Sequence, residues 1–123
     1  MFDKLIHHTL YQLECSDNYT LVILENERLE VILNNSVLSD WFTPQEIQEI
    51  RSKGRLIERV SARLAAKIAI HQNHTSLTPH HIEIRSEQSG QPQVYIEGCP
   101  YARGVISLSH TRNFGAAYFF ITN

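Results

Sequence analysis

The chain has 123 residues, of which 42% are hydrophobic and 20% are charged, and its formal net charge at pH 7 is −2. We treat residues 1–123 as one domain, because this length supports a single hydrophobic core but not two. The charge balance argues against a nucleic-acid partner, and no apolar run reaches the roughly 18 residues of a membrane span. The N-terminus lacks the pattern of a signal peptide, so we expect a cytoplasmic protein without membrane association.

The N-terminal third of the chain predicts strands. In residues 1–18, Leu5, Leu10 and Leu13 fit either a strand or a short helix. Residues 19–33 are rich in Leu, Ile and Val, and the second half of this segment alternates between apolar and polar positions. That alternation predicts one long strand or two short ones.

Two helices are predicted next. Thr43 and Glu46 have the spacing of a capping box and Pro44 suits the first helical position, so we expect a helix over residues 44–53. A longer helix is expected over residues 55–72, where apolar residues recur every three or four positions. This apolar stripe consists of Leu56, Ile57, Val60, Leu64 and Ile68. Four alanines on the same helix, which would let other elements approach closely, are Ala62, Ala65, Ala66 and Ala69.

The C-terminal half predicts hairpins. The segments HIEIRS, QVYIEG, GVISLSH and GAAYFFI have the composition of strands and are separated by turn-forming residues. The segment GCPYARG is predicted to be a loop. A strand, then helices, then a run of hairpins indicates an α+β fold, with an antiparallel sheet packed on the long central helix.

Two carboxylates near the end of the first strand are candidates for a metal site. If the strand continues, Glu25 and Glu27 point to the same side, which is the arrangement needed for joint binding of Mg²⁺. The alternative is a solvated strand face.

A second cluster is a basic stripe on the long helix. Its members recur every four residues and are Arg55, Arg59, Arg63 and Lys67. A pyrophosphate would relieve the mutual repulsion of these cations, and arginine is well shaped for phosphate oxygens. The alternative is a solvated basic face balanced by Glu46, Glu49 or Glu58.

A third cluster, SLSHTR at residues 107–112, lies at a strand end and suits either phosphate binding or the ordering of a loop. A Ser–His hydrolase is the weaker interpretation, because the adjacent Ser109 and His110 would face opposite sides of a strand. Four histidines close together in sequence are better explained by a His-rich turn than by a metal site: His71, His74, His80 and His81. The two cysteines, Cys15 and Cys99, are expected to be free thiols.

Four segments in this order resemble the holo-acyl-carrier-protein synthase type of the 4'-phosphopantetheinyl transferase superfamily. They are FTPQEIQEI, RVSARLAAKIA, HIEIRSEQSGQPQVYI and GVISLSHTRNFGAAYFFI, and the match covers about residues 21–121. Residues 1–18 have no counterpart in it. The resemblance implies transfer of the phosphopantetheine arm of coenzyme A to a serine of an acyl or peptidyl carrier protein, with Mg²⁺ on the pyrophosphate. It also implies a homotrimer with coenzyme sites between protomers.

The resemblance also implies roles for individual residues. Arg55, Arg63 and Lys67 match basic positions near the coenzyme, and Pro92 lies in the matching turn Gly90-Gln91-Pro92. The terminal motif that helps to hold coenzyme A is matched by Ser109, His110 and Thr111. Glu25 falls on the family's metal-binding aspartate, and Glu27 resembles the paired acids of the larger surfactin-type branch. Glu25 and Lys67 are therefore the expected catalytic residues, and Glu25 and Glu27 the expected metal ligands.

The chain departs from the family pattern at several positions. Ile68 replaces the helix glutamate that binds magnesium, Gln72 replaces a lysine four residues further on, and Gln91 replaces the turn lysine. Three functional hypotheses follow. The first is an active transferase that uses Glu25 and Glu27, and the second is a catalytically impaired relative that binds a carrier protein, coenzyme A or an active paralogue. The third is a small α+β module with another ligand.

Overall fold

The computed structural model describes residues 2–52, 54–86 and 90–122. The helices of this part of the chain are α1 (Phe2–Thr9), α2 (Asn26–Ile32), α3 (Asn35–Trp41), α4 (Pro44–Arg51) and α5 (Leu56–Asn73). Its strands are β1 (Leu10–Cys15), β2 (Tyr19–Glu25), β3 (Ile82–Ser86), β4 (Pro92–Ile96), β5 (Cys99–Pro100), β6 (Gly104–His110) and β7 (Phe114–Ile121). A short 3₁₀ turn, Pro79–His81, precedes β3. The predicted α+β class is confirmed.

The strands form two antiparallel sheets around α5. One has the order β1-β2-β7-β6 and the other has the order β3-β4-β5. Along β2 and β7 the side chains alternate between a buried face and a more exposed one, as a sheet covered on one side requires. The larger sheet therefore packs one face against the central helix, and its two edge strands are β1 and β6.

The long helix is predicted almost to the residue, and every position from Val60 to Ile70 on it is buried. Its small residues allow the close approach to the sheet that the alanines predict. A Cβ atom on Gly115 of β7 would lie 2.1 Å from the Oγ atom and 2.6 Å from the backbone carbon of Ser61. Only glycine fits β7 at this crossing.

The start of α4 also confirms its prediction. Thr43 Oγ1 accepts a hydrogen bond from the Glu46 amide, and the Glu46 carboxylate accepts one from the Thr43 amide. The helix ends at Arg51, slightly before the predicted end, which falls on Lys53 outside the described residues.

The prediction for residues 19–33 is wrong in its second half. Strand β2 ends at Glu25 and helix α2 follows at once. Leu29 is fully buried whereas Val31 is 77% exposed, so these two residues do not share a face. The apolar residues Leu29, Ile32 and Leu33 instead follow the helical spacing of three and four, which the alternating pattern masks.

Three other elements differ from the sequence-based expectation. Residues 2–15 contain both of the alternatives, a helix followed by a strand. Helix α3 is not predicted, although Asn34 caps it by accepting a hydrogen bond from the Val37 amide at 2.8 Å. The expected loop GCPYARG contributes the two-residue strand β5. Cys15 and Cys99 are free, as expected, and among the described residues no helix is long and apolar enough to cross a bilayer.

Candidate functional site

A cleft of about 660 Å³ opens between α5, the connection from β3 to β4, and the edge strand β6. It brings together Arg63 of the basic stripe and His110 of the SLSHTR segment with Pro92 of the Gly-Gln-Pro turn that the resemblance points to. The described residues that line it are Arg59, Ala62, Arg63, Ser86, Gly90, Gln91, Pro92, Val105, Ile106, Ser107, Leu108 and His110. This convergence of distant segments identifies the cleft as the candidate site.

Two arginines supply the positive charge of the cleft, and they are held differently. Arg63 is nearly buried, and its guanidinium donates to the Ile84 carbonyl at 2.9 Å, to Ser86 Oγ at 3.1 Å and to Glu49 Oε1 at 3.3 Å. Arg59 lies closer to the surface, and its Nε donates to the Gly54 carbonyl at 2.9 Å. That bond fixes the stem of Arg59, while its terminal nitrogens have no hydrogen bond to any described residue and remain open to a ligand.

Lys67, the next member of the basic stripe, does not reach the cleft. Its side chain is 0% exposed, and the ammonium donates to Glu46 Oε1 at 2.7 Å and to the carbonyls of Pro79 and Ile82. Glu46 in turn accepts from the Ile84 amide through Oε2 at 2.9 Å. The three ammonium protons are thus all used, and the pair joins α4, α5 and β3.

Burial lowers the pKa of Lys67, and the nearby Glu46 carboxylate opposes that shift. Arg63 and Lys67 are paired with Glu49 and Glu46, but both cations are buried and do not lie on the solvated face of the alternative interpretation. The predicted role of Lys67 in catalysis and coenzyme binding does not fit this placement, because the amino group lies in the core of the protein.

His110 and Glu58 form a hydrogen bond at the end of the cleft. Their Nδ1 and Oε1 atoms lie 2.9 Å apart, although the residues are separated by 52 positions in sequence. Glu58 lies in the first turn of α5, and His110 is the last residue of β6. Since a carboxylate only accepts, Nδ1 of the imidazole is the donor in this bond.

The turn after His110 is ordered by local and distant hydrogen bonds. Thr111 Oγ1 accepts from the Phe114 amide at 3.1 Å and from the Asn113 amide at 3.3 Å. From α2, Asn26 Nδ2 donates to the carbonyls of Thr111 and Arg112, each at 3.1 Å. The Glu25–Glu27 segment and the SLSHTR segment therefore meet in space, and the residue that joins them is Asn26.

The carboxylates at residues 25 and 27, the predicted metal ligands, lie on two different elements. Glu25 is the last residue of β2 and pairs with Arg28 at 3.4 Å, whereas Glu27 lies in the first turn of α2. The strand geometry that would point both to one side is therefore absent. Ile68, at the family's glutamate position, is fully buried in the core. Within the described ranges, no group of three or more His, Cys, Asp or Glu side chains is arranged to hold a metal ion.

Three further predicted residues lie outside the cleft: Arg55, Ser109 and Thr111. Arg55 is exposed at the N-terminal end of α5, where its φ of 52° is left-handed. Ser109 and Thr111 line a separate hollow of about 290 Å³, together with Tyr11 and Phe114, and His110 borders both this hollow and the cleft.

Ser107 had a signal in the sequence, since it belongs to the SLSHTR segment, but the sequence indicated no site role for Glu58 and Ser86. Only their positions in three dimensions bring them to the cleft and its His110 wall. Arg59 had a usable signal, since it belongs to the basic stripe.

No protein-family model and no curated protein matches the chain. Its structure is similar to the holo-(acyl-carrier-protein) synthase of Bacillus anthracis in complex with CoA (3',5'-ADP), with a TM-score of 0.71, 24% identity, and coverage of 86% of this chain and 96% of that one. The comparison with the Helicobacter pylori enzyme in complex with coenzyme A gives a TM-score of 0.70 and 16% identity, and it covers 85% of this chain and 99% of that one. The comparison with the Neisseria meningitidis enzyme gives a TM-score of 0.72 and 18% identity, and it covers 86% of this chain and 98% of that one. The chain therefore has the fold of the holo-acyl-carrier-protein synthases, as the sequence motifs predict.

Proposed function

We propose that this protein transfers the 4'-phosphopantetheine group of coenzyme A to a serine of an acyl or peptidyl carrier protein. The observation that carries the proposal is the cleft between α5, the β3–β4 connection and β6. It combines two arginines with the hydroxyl groups of Ser86 and Ser107 and with an imidazole. Proteins of the same fold have coenzyme A bound in the Bacillus anthracis and Helicobacter pylori structures.

Arg59 is the residue of this cleft best suited to contact a pyrophosphate. Its stem is fixed by the bond to Gly54, and its two terminal nitrogens are open to bidentate contact with phosphate oxygens. Arg63 acts mainly through its charge, because its own donors already bind Ile84, Ser86 and Glu49. Pro92 and the hydroxyl of Ser107 complete the wall on the other side.

We derive no step of the reaction through Mg²⁺. The predicted ligands Glu25 and Glu27 are not among the described residues that line the cleft. Glu25 is paired with Arg28, and Ile68 offers no oxygen where the family has a ligand. Charge on the phosphates is instead balanced by Arg59 and Arg63, which act on the oxygens of a loose transition state by position and electrostatics.

The proposal includes a homotrimer with the sites at protomer boundaries. Its support is an apolar patch on the face of the larger sheet that points away from α5, where Val105 is 60%, Phe120 40% and Tyr118 38% exposed. Val105 pairs directly with Phe120, and Ser107 with Tyr118. Exposed apolar patches of this kind mark association surfaces. Because Val105 also lines the cleft, a second copy seated on the patch would border the coenzyme site.

The reaction is tested by incubating the protein with coenzyme A and an apo carrier protein and recording the intact mass of the carrier. We expect the carrier to gain one phosphopantetheine group. The Arg59→Ala variant should load the carrier far more slowly, while the matched control Arg51→Ala, which removes an exposed arginine of α4, should behave as the wild type.

Other outcomes would replace the proposal. Coenzyme A binding without carrier loading would identify a catalytically impaired relative, and the absence of both would identify an α+β module with another ligand. For the trimer, light scattering should give three times the protomer mass, and Phe120→Glu should yield monomers. A monomeric wild type at micromolar concentration would contradict a shared site.

A further inference from the structure

The Glu58–His110 pair has the arrangement of a general base held by a carboxylate. Nδ1 of His110 donates to Glu58 at 2.9 Å, which leaves the lone pair on Nε2, the other nitrogen of the neutral ring. No described residue bonds to Nε2, and the ring is 32% exposed where it borders the cleft. An imidazole oriented in this way accepts a proton from a hydroxyl group that approaches it.

We propose that His110 is the general base that deprotonates the carrier-protein serine, and that Glu58 is its positioning residue. This inference rests on the proposed function. It assigns His110 to the acceptor hydroxyl, whereas the sequence resemblance implies only a contact with coenzyme A.

The step balances without a co-reactant. The serine hydroxyl proton moves to Nε2 as the serine oxygen forms a bond to the phosphorus that carries the pantetheine. The bond from that phosphorus to the bridging oxygen breaks, and 3',5'-ADP leaves with the electron pair. The imidazolium, stabilised by the Glu58 carboxylate, then releases its proton to solvent.

The position of the pair within the fold agrees with this role. Glu58 is fixed on the rigid helix α5 and is itself only 19% exposed, so its carboxylate is held in place. His110 is followed at once by the turn that Asn26 anchors, and this anchorage keeps the end of β6 from moving. A base must be held near its substrate for proton transfer to be efficient, and both supports contribute to this.

Several charged and titratable groups surround His110 in the part of the chain that the structure describes. From α5 it faces Glu58, and Arg59 and Arg63 line the same cleft. From β1 the phenol of Tyr11 lines the adjoining hollow, and Arg112 follows two residues later in the turn. In this group Glu58 is the anion, and it is in direct contact with the imidazole.

The test is a steady-state analysis of carrier loading by the wild type, His110→Ala, His110→Gln and Glu58→Gln, each between pH 5 and 9. His80→Ala, at an exposed position in the 3₁₀ turn, is the matched control. We expect kcat of His110→Ala and His110→Gln to fall by about 10²–10⁴-fold, which is the usual contribution of general base catalysis. The affinity for coenzyme A, measured separately by calorimetry, should stay within about twofold of the wild-type value, because this role involves no phosphate contact.

The pH profile separates a base from a merely structural residue. Wild-type kcat should rise with pH, because a general base acts in its unprotonated form, and this rise should disappear in both His110 variants. Added imidazole should restore part of the kcat of His110→Ala. Glu58→Gln keeps an oxygen for Nδ1 but loses the charge, so its kcat should fall less than that of His110→Ala.

Three results would overturn the inference. A loss of coenzyme A affinity that matches the loss of loading would make His110 a coenzyme contact, and an unchanged pH profile in His110→Gln would exclude a base. Both results leave the proposed transfer intact. A wild type that loads no carrier at all would remove the proposed function and this inference together.

Discussion

The Lys67→Met variant gives the sharpest test of how the core is organised. In the wild type, the Lys67 ammonium has three acceptors, of which the Glu46 carboxylate is the closest charged group at 2.7 Å. Methionine has a similar length but leaves a buried carboxylate without its cation, and it leaves two backbone carbonyls without a donor. Removing one member of a buried pair costs about 3–5 kcal/mol. Since the free energy of unfolding of such domains is about 5–15 kcal/mol, the loss is a large fraction of the total stability.

The assay is equilibrium urea unfolding followed by circular dichroism. With an m-value of about 2 kcal/mol per molar urea, the midpoint should fall by about 2 M. The Glu46→Gln change should be destabilising alone, and it should cost less in the Lys67→Met background than in the wild type. The interaction energy between Lys67 and Glu46 from this double-mutant cycle should be about 0.5–3 kcal/mol. If Lys67→Met keeps the wild-type midpoint and abolishes coenzyme A binding, then Lys67 is a ligand-binding residue. That result would contradict its assignment to a buried pair with Glu46.

Further variants test the packing and the metal site. Gly115→Ala places a methyl group against the Ser61 backbone and should cost about 1–3 kcal/mol in urea unfolding, whereas unchanged stability would contradict the close crossing of α5 and β7. Asn26→Ala removes both hydrogen bonds to the turn after β6 and should destabilise the protein by about 1–3 kcal/mol, and faster hydrogen exchange at Phe114 should accompany this. Ile68→Glu buries an unpaired carboxylate and should lower the thermal midpoint strongly without creating magnesium dependence; a stable variant with magnesium-dependent loading would mean that the family's metal site persists.

Much of the fold is predictable because local chemistry and tertiary packing agree. The capping box at Thr43 and the apolar period of α5 each follow from the chemistry of single side chains, and both are confirmed. The strands β6 and β7 likewise follow from their composition and from the polar turn between them.

The elements that the sequence misassigns are short. Helices α2 and α3 have seven residues each, and at that length strand and helix periods can fit the same apolar residues. The choice of helix for α2 is made by packing, because Leu29 enters the core while Val31 points to solvent.

The candidate site is only partly predictable for a different reason. Sequence spacing placed Arg59, Arg63 and Lys67 on one stripe, but it carries no information on which cations meet carboxylates from another helix. Glu46 and Glu49 on α4 form salt bridges with Lys67 and Arg63. The terminal nitrogens of Arg59 are left open to a ligand. The pairing of Glu58 with His110 spans 52 residues and has no local signal at all.

The cleft is tested most directly by calorimetric titration of coenzyme A into the protein, with magnesium and then with EDTA. We predict binding that changes by less than about twofold between the two conditions, since no step is assigned to a metal, and that is lost in Arg59→Ala but retained in Arg51→Ala. Binding that requires magnesium would mean that Glu25 and Glu27 hold a metal after all. The absence of binding by the wild type in both conditions would contradict the assignment of the cleft to coenzyme A.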